Sequence, residues 1–66
     1  MFTYKPLWKT LIDKDITKTE LQKMIECSPN TITVMKKNEY VSMNVLDRIC
    51  NALDCNICDV VEHIRE

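Results

Sequence analysis

The 66-residue chain is 45% hydrophobic and 29% charged, with a formal net charge of −1. That permits one thin-cored domain over residues 1–66 and argues against intrinsic disorder, a bilayer-spanning run of ~20 apolar residues, and a deep catalytic pocket. The near-neutral total hides an asymmetry. Residues 1–41 carry seven Lys against Asp13, Asp15, Glu20, Glu26 and Glu39, a net of +2, whereas residues 42–66 carry Arg48 and Arg65 against five acidic groups, a net of −3. A polyanion should therefore meet the first two thirds of the chain.

The pattern predicts five short helices, roughly 6–14, 18–26, 29–37, 43–53 and 57–64, and no competing strand. Pro6 suits the first turn of helix one, whose apolar stripe is Leu7, Trp8, Leu11 and Ile12. Phe2 and Tyr4 alternate with polar residues before it, as a short extended arm would. Thr17 and Glu20 form a capping box ahead of Leu21, Met24 and Ile25. Ser28 followed by Pro29 is the strongest start signal in the chain, opening a helix that ends at Asn38. Three or four residues around Glu26-Cys27-Ser28 leave a tight corner between helices two and three. Ser42 caps the fourth helix (Val45, Leu46, Ile49, Cys50, Leu53). Ile57, Val60, Val61 and Ile64 then repeat at i, i+3, i+4 and i+7 in a fifth. The chain has no glycine, so each tight turn must place another residue in the left-handed region, where Asn and Asp are penalised least.

Helix three has an unusual outer face. Ile32 and Met35 supply its buried side, leaving Asn30, Thr33, Val34 and Lys37 outward and Pro29 at the tip. Small polar groups with two terminal Lys fit a DNA major groove, where Asn pairs with adenine and Thr or apolar groups touch the thymine methyl. The same composition also describes an ordinary solvated helix surface whose lysines complement the helix dipole.

The stretches Thr17-Lys18-Thr19-Glu20-Leu21 and Cys27-Ser28-Pro29-Asn30-Thr31-Ile32, with Val45-Leu46-Asp47-Arg48-Ile49-Cys50-Asn51-Ala52-Leu53-Asp54-Cys55 in register behind them, resemble the Cro/cI (Xre-type) helix-turn-helix regulators. The similarity extends over about residues 5–64 and is closest to compact, stand-alone bacterial members. It implies an all-α, five-helix bundle of the lambda-repressor-like type, with helices two and three as the helix-turn-helix and helix three in the major groove.

On that resemblance Pro29, Asn30, Thr33 and Val34 are expected at base edges. Lys18, Ser28, Thr31, Lys36, Lys37 and Asn44 are expected on the DNA backbone, where contacts position without specifying. The expected partners are double-stranded DNA and a second copy of the chain on a palindromic site; no membrane, small-molecule ligand, cofactor or metal is expected, and the expected compartment is the cytoplasm. Two departures stand out: Gln22 replaces the small residue usual inside helix two, and Glu26 replaces the turn glycine. The second puts a carboxylate near the DNA side and costs about 1 kcal/mol if left-handed.

Other constellations carry less. Cys50, Cys55, Cys58 and His63 can be drawn as a zinc site, and Cys58 as a redox sensor. However, Cys27, Cys50 and Cys55 fall at apolar periodic positions, where free cysteine is commonly buried. His63 has no nucleophile or glycine-rich loop to accompany it, so no enzyme is expected. Trp8 and the methionines read as core filler. Tyr40, Val41, Val45 and part of 57–64 exceed what a small core needs, which suits a dimer face, with the Phe2–Tyr4 arm pairing across it; covering the core alone would account for Tyr40 and Val41 equally well. The alternative from another functional class is a protein-interaction module, an antitoxin or accessory subunit on the same fold, with its acidic last third facing the partner.

Overall fold

A computed structural model describes residues 1–65. In chain order its elements are β1 (Phe2–Thr3), α1 (Lys5–Asp13), α2 (Lys18–Met24), α3 (Pro29–Lys36), α4 (Met43–Leu53), a 3₁₀ turn (Ile57–Asp59) and β2 (Glu62–His63). The helices close on one core of Tyr4, Leu7, Leu11, Leu21, Ile25, Ile32, Met35, Ile49, Leu53 and Val60. Half-buried Trp8, Ile16, Cys27, Val45 and Cys55 are among the residues packed around it.

The expected starts are present. Thr17 Oγ1 accepts from the Glu20 amide at 3.1 Å, while Glu20 Oε1 accepts from the Thr17 amide at 3.2 Å. Ser42 Oγ accepts from the Val45 amide at 3.3 Å. The helix ends share one solution. Asp15, Glu26, Asn38 and Asp54 all take left-handed φ values of 50–58°. Beyond each, the next amide reaches back five residues: Ile16 to Leu11, Cys27 to Gln22, Glu39 to Val34 and Cys55 to Cys50, at 2.9–3.2 Å. This is the Schellman closure, which glycine usually provides. Three of the four left-handed residues are Asp or Asn, as a glycine-free chain requires; Glu26 is the exception.

The five-helix expectation is corrected at the end of the chain: four α-helices are present among the described residues, and the predicted 57–64 helix is absent. Three residues of 3₁₀ turn stand in its place. The Asn56 amide donates to Asp59 Oδ2 at 3.2 Å, and Thr10 Oγ1 of α1 donates to the Asp59 carbonyl at 2.9 Å. That carbonyl is therefore engaged from outside rather than by a continuing helix. The chain then extends, and Glu62 and His63 pair antiparallel with Thr3 and Phe2. The Ile64 amide completes the ribbon by donating to the Met1 carbonyl at 2.8 Å. Of the four apolar residues in the helical pattern only Val60 is buried. The paired residues, Glu62 and His63, are not the apolar ones of that pattern; the edge offered by β1 sets their conformation. The N-terminal arm is extended, as expected, and one of its edges is taken by β2 of its own chain.

The left-handed positions make a paired prediction. Glu26→Gly removes the steric penalty of the α2–α3 corner and should raise Tm by ~3–6 °C. Asn38→Gly keeps the backbone equally free but deletes an amide oxygen that accepts from both Thr3 Oγ1 and the Tyr4 amide, so it should lower Tm. Thermal melts of the two variants beside the parent test this, and a rise in both would contradict the role given to Asn38.

Candidate nucleic-acid interface

Helix α3 presents the face that its spacing requires. Ile32 and Met35 are buried, Pro29, Asn30, Thr33, Lys36 and Lys37 are exposed, and Thr31 and Val34 are half-buried. At 100° per residue Asn30, Thr33, Val34 and Lys37 form one outward stripe opposite the buried pair. Two hydroxyls on this helix are engaged locally. Thr33 Oγ1 donates to the Pro29 carbonyl at 3.3 Å, and Ser28 Oγ lies 3.3 Å from Thr31 Oγ1. Ser28 makes no side-chain bond to a helix amide; its carbonyl accepts from the Thr31 amide at 3.0 Å in the first turn of α3.

Other elements tie the end of α2 that leads into α3, and the exit of α3. Arg48 Nη1 of α4 donates to the carbonyl of Ile25, the C-cap residue of α2, at 3.4 Å, beside the left-handed Glu26 ahead of α3. At the exit of α3, Asn38 Oδ1 receives the Thr3 hydroxyl at 3.2 Å and the Tyr4 amide at 3.3 Å, and the Tyr4 hydroxyl donates to the Glu39 carbonyl at 2.8 Å. Burial pushes the Tyr4 phenol pKa up, which keeps this group a donor. The N-terminal residues therefore orient the far end of α3, a role that nothing in their local sequence announced.

The remaining expected contacts sit at helix entries. Lys18 begins α2, and Asn44 lies in the first turn of α4; both are exposed. The Lys18 ammonium rests 4.7 Å from the Trp8 ring centroid. Trp8 is thus more than core filler: its ring face restrains a cation at the start of α2 through a cation–π contact. The contact joins two helices, so neither residue's neighbours in sequence could reveal it.

The cysteine–histidine constellation does not assemble. Among the described residues no three His, Cys, Asp or Glu side chains converge as a metal site would need. The Schellman closure of α4 brings Cys50 and Cys55 together, and burial pushes the Cys55 thiol pKa up, with Cys50 beside it adding to the shift. Cys58 is exposed. His63 lies in β2 with its ring edge-on to Phe2, centroids 5.0 Å apart. Among the described residues no helix is long and apolar enough to cross a membrane.

Comparisons with known proteins agree with this geometry. Residues 6–66 match the model of the Cro/C1-type helix-turn-helix DNA-binding domain. The crystal structure of the transcriptional regulator VanUg superposes with a TM-score of 0.93 at 42% sequence identity, covering 98% of this chain and 87% of that one. No curated protein sequence matches significantly. The first match is to a DNA-binding domain and the second to a transcriptional regulator.

Proposed function

The chain belongs to the Cro/C1-type helix-turn-helix DNA-binding domain family, and we propose that it regulates transcription by placing α3 in the major groove of a specific operator, as a homodimer on a palindromic site. The observation that carries this reading is the outward stripe Asn30, Thr33, Val34 and Lys37 on a helix tied at its exit and preceded by a tied corner. A rigid, small-residue face with Lys36 and Lys37 at its far end suits a groove that must be approached closely and read by hydrogen bonds. In this reading Asn30 and Thr33 read base edges, and Pro29 and Val34 make apolar contacts. Lys18, Ser28, Thr31, Lys36, Lys37 and Asn44 hold the sugar-phosphate backbone, with Trp8 restraining Lys18.

The dimer reading rests on a second surface. Phe2, Tyr4, Tyr40, Val41, Met43, Leu46, Ile57 and Val61 line an open groove of about 380 Å³. Tyr40 (71% exposed) and Met43 (76%) stand out beside it, and Phe2 meets Tyr40 edge-on at 6.2 Å. Knob and hollow on one uncharged patch are what a two-fold interface needs, because the patch must fit itself. A standard interface takes ~800 Å² from each partner, a modest part of the chain's 4636 Å² of accessible surface.

Selection from a random duplex pool at fixed salt should yield one palindromic sequence. Asn30→Ala should lose ~1–3 kcal/mol and relax one position, while Lys37→Ala should weaken all sequences alike and lower the salt slope by about one. Recovery without sequence preference would move the function to the protein-interaction reading. For the dimer, sedimentation of Met43→Glu should show a folded monomer that binds a half-site as the parent does but binds the palindrome more weakly. An unchanged dimer, or a parent that is monomeric on the palindrome, would refute this interface.

A further inference from the structure

We propose that α3 reads thymine C5-methyl groups, with Thr33 acting through its γ-methyl rather than as a hydrogen-bond donor, so that the operator half-site places A·T pairs under the middle of the helix. This deepens the proposed groove-binding function and rests on it. A threonine hydroxyl has one proton, and that of Thr33 is given to the Pro29 carbonyl at 3.3 Å, one turn back along its own helix. Such back-bonding is an ordinary threonine state in helices. With the oxygen turned to the backbone, the group left to present is the methyl, alongside lone pairs that can only accept.

The neighbours of Thr33 are matched to it. Val34, next on the stripe, has no polar side-chain atom, and Pro29, one turn before Thr33, lacks even an amide hydrogen. Asn30 is therefore the one side chain among the four base-facing residues whose donor is not given to the helix backbone, and asparagine suits adenine N6 and N7. Guanine offers two acceptors in the major groove and is read mainly by arginine or lysine; thymine alone carries a methyl there. The central part of this face is short of donors and rich in methyl groups, and an A·T pair supplies the matching chemistry on both of its bases.

The test uses the full chain and the duplex recovered by selection. Each thymine is replaced in turn by deoxyuridine, which removes only the methyl. One or two positions per half-site should lose about fourfold in affinity per methyl. Thr33→Ser, which keeps the hydroxyl, should bind thymine and uracil duplexes equally at one of those positions. Thr33→Val, which keeps the methyl, should retain the parent's preference. Thymine-to-uracil changes without effect at every position would overturn the inference while leaving specific groove binding intact. So would Thr33→Val failing where Thr33→Ser succeeds. Failure to select any sequence would overturn groove reading itself.

Discussion

Each of the four helices ends in a left-handed residue, and this chain has no glycine with which to do it. That constraint shapes the molecule. Asp15, Asn38 and Asp54 meet it with short polar side chains that tolerate the conformation, while Glu26 meets it with strain. The strained position is the corner that aims α3 away from α2. It holds because its surroundings over-determine it: the Cys27 amide closes on Gln22, Arg48 reaches the Ile25 carbonyl, and Leu21 and Ile32 are buried on either side. Local strain beside a functional helix, supported by packing elsewhere, is a common arrangement in small domains.

The same economy governs α3 as a whole. A 66-residue domain has a thin core, so burial of Ile32 and Met35 alone would orient the helix weakly. Ties at the preceding corner and at the exit of α3 supply what the core lacks, and the most distant comes from the N-terminal residues through Thr3, Tyr4 and Asn38. The β1–β2 ribbon thereby acquires a purpose beyond covering the core: it fixes the strand that fixes α3. Charge is distributed to match. Lys36 and Lys37 stand at the far end of the stripe, and the acidic surplus lies in the last third of the chain. The net charge is −1, so non-specific attraction to DNA is weak, and in the proposed reading discrimination falls to the groove-facing groups.

Much of this was legible in the residues. Thr17 with Glu20, Ser28 with Pro29, and Ser42 each marked a helix start, and the absence of glycine pointed to Asn and Asp at the corners. The outward stripe of α3 followed from the placement of Ile32 and Met35. The end of the chain did not follow, because Ile57, Val60, Val61 and Ile64 satisfy helical spacing, and spacing does not show whether a helix or a strand partner is present. What decided between them was a tertiary partner: the β1 edge and the Thr10 hydroxyl on the Asp59 carbonyl. Trp8 under Lys18, Arg48 on the α2 terminus and Asn38 on Thr3 were hidden for the same reason, as each joins elements distant in sequence. Of the expected interface residues, Pro29, Asn30, Thr33, Lys36, Lys37, Lys18, Ser28 and Asn44 are exposed and Thr31 and Val34 are half-buried; the hydroxyl commitments of Thr31 and Thr33 came from the coordinates alone.

The central claim is that the outward stripe of α3, and not the acidic end of the chain, is the surface that meets DNA. Its most direct measurement is a nuclear magnetic resonance titration of the ¹⁵N-labelled protein with its selected duplex. The account predicts that amide shifts concentrate in residues 28–38, with lesser changes at the entries of α2 and α4 and little change in residues 47–65. Shifts concentrated in residues 47–65, with 28–38 silent, would contradict it.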